Sequence, residues 1–500
     1  APLPPRSLPP NPSRQVSCPH PGAFHPGYFF ELRDTKLANG AKSFSLLWPQ
    51  LKQVLQDPAL HSVTYSKKFG PGGRNAFLSY APHFWPDSKE LDAYLQAHPG
   101  ATSDEWEDKI KWDHKDANRN ADTGNASQAK ELQTVCNKVF ILAMGQWLRS
   151  SSQHLLSLTP IAAYHFGLKF NPSVCKPASE KAFQLLWTFF GDPATRMIPE
   201  VAYGQYVRGS QPKGKYRPEG LLHVSPTFAI PKLRDLTKAN LQIRGLILIS
   251  QILPLLPAPP SPFSPHPFMH PWFEAHVDFL QNHECGKLAA TRRNNIGTHY
   301  FCQLATHLIT INRPLEAHAV VTNMFMLSPA NPQGISAKIS PTTSALVQEI
   351  KRPNPLHYTL FELEPLCFLA ELANSIRVYN NLPQLPDVWL AENHALKRAV
   401  DFGIFYMLKS IGCEEPRGMR LPDGVKEPEK NEDLRGIVYM ARAAAVRYGR
   451  GEYEWLVGQG VDGEMEPRNK DEAKGWQGRI QPLQGWNASG RWKWAMLEGF

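Results

Sequence analysis

Apolar residues recur at spacings of three and four along most of the chain from about residue 41. This spacing is typical of amphipathic α-helices, whereas the alternation of apolar and polar residues that is typical of strands is scarce. The segments with the helical spacing are 139–148, 161–170, 182–190, 272–280, 299–311, 315–326, 360–379 and 395–411. The pattern therefore predicts an all-α protein.

Segments rich in Pro, Gly and Asn separate these helices, for example 254–271, 328–334 and 353–355. Such residues favour turns and irregular loops. Many helices joined by loops predict paired helices in a curved or closed array, although no sequence repeat is sharp enough to set a period.

Three regions are expected along the chain. Residues 1–27 are rich in proline and predict an extended N-terminal arm. Residues 28–415 contain most of the predicted helices and form the main domain. Residues 416–500 are more polar, include one predicted helix at 432–448, and are expected to pack on the main domain as a C-terminal extension.

Composition narrows the class of partner. The chain has 500 residues, of which 42% are hydrophobic, and this is ample for a sizeable core. The formal net charge of +9 suits an acidic polymer, but it is equally compatible with solubility alone. The chain contains no block of five or more basic residues, so a nucleic-acid-binding arm is not indicated. The longest apolar run, 245–256, is too short to span a membrane. We expect a monomer.

Weak signals favour an extracellular location. The chain begins at Ala1 without an initiator Met, which fits a mature secreted chain. Asn125 and Asn487 each begin a tripeptide that permits N-glycosylation. The seven cysteines lack CxxC spacing, and their odd number leaves at least one thiol unpaired within a monomer. We therefore expect a secreted glycoprotein.

The segment from Arg293 to Tyr300 is rich in candidate chemistry, with two amides, an imidazole and a phenol. If a helix runs from about Arg292, then Arg292, Asn295 and His299 share one face, because residues three and four apart are neighbours on a helix. Such a face could bind a carboxylate. The alternative is a helix cap followed by a polar, solvated face, since Asn is a good cap residue.

Two further clusters contain candidate functional residues. Arg352, His357 and Tyr358 lie around a proline-restricted turn, and an Arg near a Tyr favours the phenolate that a phenolic base needs. The alternative is a Tyr whose ring packs and whose hydroxyl is hydrogen-bonded. Tyr80 and Trp85 lie in a proline-rich loop, where aromatic rings either stack on sugars or belong to the core.

Six segments, in order, resemble the alginate lyase superfamily of polysaccharide lyases, especially its glucuronan- and alginate-cleaving branch. Residues 79–87 resemble the family's Ser-Leu-Ala-Pro-Tyr-Trp-Trp-Pro-Asp segment, and residues 294–300 resemble Asn-Asn-His-Gly-Thr-Trp-Tyr. The other matches are 192–197, Tyr203 with Gln205, 217–220, and Arg352 with 357–361. Together they span roughly residues 65–410.

The resemblance implies an incomplete (α/α) toroid that cleaves β-1,4-linked D-uronate polymers by β-elimination, with glucuronan as the first choice and polymannuronate as the second. It implies that Asn295 binds the substrate carboxylate, that Tyr358 acts as base and then as acid, and that Arg352 holds Tyr358 near its phenolate form. No metal or other cofactor is implied. The expected substrate-binding residues are Asn294, Arg292, His357, Tyr80, Trp85, Gln205 and Arg217.

One departure from the family pattern is important. The family usually has His directly after the second Asn, as carboxylate neutraliser or base, and this chain has Ile296. We hypothesise that His299 takes part of that role, with His357 as the rival candidate. Two alternatives remain: a catalytically impaired polyuronate-binding protein, and a toroid glycoside hydrolase with a carboxylate pair drawn from Glu200 and Glu219.

Overall fold

The computed structural model describes residues 49–115, 120–155, 175–209, 217–221, 245–328 and 331–410, with short pieces between 421 and 448. Residues 49–56 are helical. The helices that follow are α1 Ser88–Ala97, α2 Ser103–Trp106, α3 Gln128–Leu155, α4 Cys175–Leu186, α5 Gly245–Ile252, α6 His266–Asn282, α7 Glu284–Ala290, α8 Asn295–Thr310, α9 Pro314–Phe325, α10 Pro355–Tyr379 and α11 Ala391–Ser410.

Strands are short among the described residues: β1 Leu78–Tyr80, β2 Phe84–Pro86, β3 Trp112–His114 and β4 Tyr203–Tyr206. Parallel pairing joins β1 to β4, and antiparallel pairing joins β2 to β3. A π-helical turn, Trp187–Gly191, follows α4 directly. The remaining short elements are 3-10 turns, of which Pro218–Gly220 and Glu349–Lys351 lie beside residues of the candidate site.

Each predicted helical segment that the structure describes is helical, but the prediction of a loop over 254–271 was wrong for 266–271, because α6 begins at His266 and Pro271 lies within its first turns. The predicted segments correspond to α3, α4 with the π-helical turn, α6, α8, α9, α10 and α11. The segment 161–170 and the arm 1–27 lie outside the described residues, as does most of the extension 416–500. None of the described helices is long and apolar enough to cross a membrane.

Helix α8 is central to the packing. It lies against α5, α6, α9 and α10, and all of its residues except Phe301 and Thr310 are buried. A helix that is covered on nearly every side belongs to the interior of a domain rather than to its surface. Short links join α8 to α9 as a helical hairpin, and α10 packs on both α9 and α11. The result is an array of paired helices around α8.

The described pieces of the C-terminal extension contact this array. Met440 and Ala444 are buried in the main hydrophobic core. The Tyr448 hydroxyl donates to the carbonyl oxygen of Trp389 at 3.0 Å. Before the extension, the Tyr406 hydroxyl of α11 donates to the carbonyl oxygen of Lys426 at 2.7 Å.

The start of α8 differs from the prediction. The helix begins at Asn295, and the side chain of Asn294 caps it by accepting a hydrogen bond from the Ile296 N–H at 3.2 Å. Arg292 lies before the cap and is exposed. The prediction that Arg292 shares a helix face with Asn295 and His299 was therefore wrong for Arg292. The backbone N–H of Arg292 instead bonds to Ala289, at the end of α7.

Gly297 allows a close approach between the first turn of α8 and the preceding chain. A Cβ atom added at Gly297 would lie 1.9 Å from the carbonyl oxygen of Arg292. Backbone atoms at that distance overlap, so any side chain would push the helix start away from residues 289–292.

Replacing Gly297 with Ala should lower the free energy of unfolding by about 2 kcal/mol, because overpacking against backbone forces a shift. Chemical denaturation followed by circular dichroism measures this change. Gly124→Ala is the matched control, since an added Cβ there meets nothing within 4 Å. Equal denaturation midpoints for the two variants would contradict the expectation.

Candidate active site

Arg352 and Tyr358 are in direct contact at the start of α10. The Nη2 of Arg352 donates to the hydroxyl oxygen of Tyr358 at 3.1 Å, and the guanidinium carbon lies 4.3 Å from the centroid of the Tyr358 ring. The Tyr358 side chain is half-buried. The geometry thus places a permanent positive charge against a phenol that retains access to solvent, as the sequence predicted for this pair.

Asn295, the first residue of α8, is held by a buried acid. The Oε1 of Glu349 accepts one hydrogen bond from the Asn295 backbone N–H and another from its Nδ2, each at 2.9 Å. Only 1% of Glu349 is exposed. Burial raises the pKa of this carboxyl to about 7, and the charge of Glu362 adds to the increase. The bonds from Asn295 and the charge of Arg352 oppose it.

A second buried acid supports the cap of α8. Glu362 Oε1 accepts hydrogen bonds from the Thr298 hydroxyl at 2.7 Å and from the Lys338 ammonium at 3.1 Å. The same ammonium donates to the carbonyl oxygen of Asn294 at 3.0 Å. Burial raises the pKa of Glu362, while Lys338 and Thr298 act in the opposite direction. The cap is therefore held by a buried ion pair.

The rings of both candidate histidines contact the ring of Phe361. The ring of His299 is 4.7 Å from the Phe361 ring, and only 1% of His299 is exposed. His357 stacks on Phe361 with a centroid distance of 6.0 Å and is half-buried. Its ring also lies 5.2 Å from the Tyr358 ring. Of the two histidines, His357 is the one that adjoins the Arg352–Tyr358 pair and retains access to solvent.

Tyr80 and Trp85 lie in the segment 79–87, called the aromatic loop below, and they differ in exposure. Tyr80 is buried, and the guanidinium of Arg208 lies 4.3 Å from its ring centroid. Burial, with the charge of Glu107, raises the pKa of Tyr80 to about 12. Trp85 is half-exposed, with the Lys115 ammonium 5.9 Å from its ring centroid. The packing interpretation therefore describes Tyr80, while the Trp85 ring is partly exposed.

Gln205 and Arg217 lie beside this loop. Gln205 donates from its backbone N–H to Ser79 Oγ at 2.9 Å and from its Nε2 to the Glu219 carbonyl oxygen at 3.0 Å. Its φ of 52° is uncommon for a residue other than glycine, and these two bonds hold it there. Arg217 pairs with Glu219 at 3.5 Å and lies 5.0 Å from the Phe84 ring centroid.

Segment 217–221 connects the aromatic loop to the central helix. The Nε2 of Gln303, on α8, donates to the Leu221 carbonyl oxygen at 3.0 Å. The Cys285 thiol, on α7, contacts the Arg217 carbonyl oxygen at 3.3 Å. The segment beside the aromatic loop is therefore joined to the middle of α8 and to α7.

Glu349, Glu362 and Lys338 were missed as members of the site. Glu349 lies three residues before Arg352. The signal in the sequence was a single acidic residue in a segment whose other charged residues are basic. Glu362 interrupts an apolar helix, and an acid in such a run is rarely buried without a partner. Neither signal identifies the hydrogen-bond partner of the acid, because that partner lies far away in the sequence.

Comparison with known proteins identifies the class. The family model described as alginate lyase matches residues 70–410. A crystal structure of an alginate lyase from Bacteroides ovatus superimposes with a TM-score of 0.60 at 18% identity, covering 91% of this chain and 98% of that one. No curated protein matches the chain. The structural likeness confirms the predicted incomplete (α/α) toroid.

Fold and family match together define a polysaccharide lyase built on a helical toroid. The chain belongs to the alginate lyase family.

The raised pKa of Glu349 should make the free energy of unfolding depend on pH. Between its ordinary pKa of 4.5 and the folded value of about 7, the folded protein binds more protons at this carboxyl than the unfolded chain does. This contribution to stability is present below about pH 4.5 and is lost as the pH rises through about 7. The charged groups that contact or face Glu349 are Glu362, Arg352 and, through Glu362, Lys338.

Glu349→Gln removes this titration while leaving Glu362, Lys338 and Arg352 in place. We expect the wild-type protein to lose stability relative to the variant as the pH rises from about 5 to about 7. Urea denaturation of both proteins across this range measures the difference. A difference that grows in favour of the wild-type protein would show that the sign is wrong.

Proposed function

We propose that this lyase cleaves β-1,4-linked D-uronate polymers by β-elimination, with glucuronan as the preferred substrate and polymannuronate as the second choice. The observation that carries the proposal is the contact of Arg352 with both the hydroxyl and the ring of Tyr358. The Asn295 amide at the start of α8 supports it, because a helix N-terminus favours a bound carboxylate.

The reaction needs two functions from the protein. The C5 proton of a uronate is acidic enough to remove only if the adjacent carboxylate is stabilised as charge builds up on it. Asn295 would donate to that carboxylate. The phenolate of Tyr358 would take the C5 proton, the electrons of the C5–H bond would form the C4–C5 double bond, and the C4–O4 bond would break. Tyr358 would then return the proton to O4.

Arg352 would support the negative charge on Tyr358 during the proposed reaction. Its guanidinium stays charged, so it stabilises a phenolate at hydrogen-bond distance without exchanging protons. In D-glucuronate and D-mannuronate the C5 proton and O4 lie on the same side of the ring. One phenol can therefore serve both steps, which favours these two uronates over others.

His357, rather than His299, fits the role of the histidine that is missing at Ile296. Ile296 belongs to the hydrophobic core and is 8% exposed. His299 packs on Phe361 and is 1% exposed, whereas the ring of His357 contacts that of Tyr358. Of the two rings, that of His357 is the more accessible to a substrate carboxylate.

The composition of the aromatic loop supports a polyanionic sugar chain as ligand. Trp85 presents a half-exposed ring, with Lys115 beside it. Arg217 is half-buried near Phe84, in the same loop region. The formal charge of +9 adds a general attraction for a polyanion.

A polyuronate-binding protein without activity is the second candidate, and Ile296 is the observation that favours it. The intact Arg352–Tyr358 contact argues for the enzyme, because binding alone does not need a phenol paired with a guanidinium. A glycoside hydrolase is less well supported, since Glu219 is paired with Arg217 and Glu200 is exposed.

We further propose that the protein is an extracellular glycoprotein. Asn125, the first residue of one glycosylation tripeptide, is exposed at the end of a 3-10 turn, where a glycan can be attached. The second tripeptide, at Asn487, lies outside the described residues.

Tyr358→Phe should abolish the rise in ultraviolet absorbance that the unsaturated product gives, since it removes the only proton carrier in the proposed reaction. The wild-type protein is first tested on glucuronan, polymannuronate, polyguluronate and pectate to find its substrate. Tyr94→Phe is the control, because it removes an exposed hydroxyl bonded to Glu105 on α2. A Tyr358→Phe variant that keeps its activity would disprove this mechanism.

Replacements of the two histidines should have different effects. His357→Gln should lower kcat by about 10- to 100-fold with little change in stability, because the residue is half-exposed and faces the reaction. His299→Gln should act mainly through stability, because it changes a fully buried ring that packs on Phe361. Kinetics and thermal unfolding of both variants measure this, and the reverse pattern would restore His299 as the neutraliser.

A further inference from the structure

Glu349 is a buried carboxylate that joins two of the proposed catalytic groups. Its Oε1 accepts both the backbone N–H and the Nδ2 of Asn295 at 2.9 Å. Its own carbonyl oxygen accepts the backbone N–H of Arg352 at 3.0 Å. One acidic residue therefore contacts the amide proposed to bind the substrate carboxylate and shares a turn with the guanidinium that contacts Tyr358.

Capping of α8 does not explain both bonds to Asn295. The bond from the Asn295 backbone N–H satisfies one donor of the helix start, and the side chain of Asn294 satisfies the N–H of Ile296. The second bond of Glu349 goes to the Asn295 side chain and does nothing for the backbone. Because Glu349 Oε1 accepts this bond, the amide nitrogen of Asn295 is turned toward Glu349, and the directions of the remaining N–H and of Oδ1 are fixed.

The backbone of the cap is also held from another direction. Lys338 donates to the Asn294 carbonyl oxygen at 3.0 Å and is paired with Glu362, which in turn accepts from Thr298. None of these contacts involves the side chain of Glu349. The start of α8 should therefore stay in place without Glu349, while the amide of Asn295 becomes free to rotate.

We propose that Glu349 is a positioning residue of the elimination reaction, which holds the Asn295 amide in the orientation that binds the uronate carboxylate. The inference rests on the proposed function and deepens it, because it assigns a role to a residue that does not touch the substrate. Groups that stabilise a transition state must be fixed beforehand, and the supporting residues that fix them are part of the catalytic power of a site. Glu349 acts through Asn295, so its effect requires Asn295.

A double-mutant cycle tests this dependence on the polymer that the wild-type protein cleaves. Glu349→Ala should lower kcat by about 100-fold, the scale expected when a catalytic donor loses its orientation. In an Asn295→Ala background the same change should lower kcat by less than about three-fold, because coupled residues are not additive. Glu349→Gln keeps an acceptor at the same place and should recover most of the activity.

The matched control is Glu371→Gln. Burial raises the pKa of this carboxyl of α10 to about 7 as well, but the residue lies about 20 Å along the helix from Tyr358, at 1.5 Å per residue. It should change kcat by less than about two-fold. Thermal unfolding of every variant verifies folding. If Glu349→Ala does not fold, Glu349→Gln replaces it in the cycle, and its smaller loss should again disappear in the Asn295→Ala background.

Three results would overturn the inference. Equal factors for the Glu349 change in both backgrounds would show an effect that does not pass through Asn295. A change in KM with an unaltered kcat would show that Glu349 affects binding alone. A wild-type protein that cleaves none of the four uronate polymers would refute the proposed function and this inference together, whereas an active enzyme with additive losses would refute the inference only.

Discussion

Two hydrogen bonds between Asn295 and the buried carboxylate of Glu349 join the start of α8 to the turn that precedes α10. An isolated acid is costly to bury, and here the cost is offset by the N-terminus of a helix, an amide and the charge of Arg352. This contact orients the Asn295 amide at the head of α8 and joins it to the turn that leads to Arg352. The geometry of the candidate site depends on it.

Buried and half-exposed groups have different tasks in this arrangement. Glu349, Glu362 and Lys338 are almost entirely buried, and they hold backbone and side-chain donors in place. Tyr358 and His357 remain half-exposed, so they are the groups that a substrate can reach. In the proposed reaction this division separates the acids that support the donors from the groups that would contact the polyanion.

Much of the fold and part of the site could be predicted from residue patterns. Helices α6, α8, α9, α10 and α11 were expected because long amphipathic repeats leave few other ways to bury apolar surface. The contact of Arg352 with Tyr358 was expected because only a short turn separates them. The start of α8 was placed too early, since the run before it contains several polar residues that could begin a helix, and Asn294 is the one that caps it.

Local sequence was sufficient to define the helical class, the Arg–Tyr pair and the amide at the head of α8, because each depends on residues within a few positions of one another. The partner of each polar side chain depended on tertiary structure. Glu349 lies 54 residues from Asn295, and Glu362 lies 64 residues from Thr298. From the sequence, His299 was preferred to His357 as the neutralising histidine, and Tyr80 and Trp85 were not distinguished as platforms for a sugar ring. Burial distinguishes the two members of each pair, because His299 packs against Phe361 and Tyr80 packs against Arg208. Burial is a property of the assembled core and not of any segment.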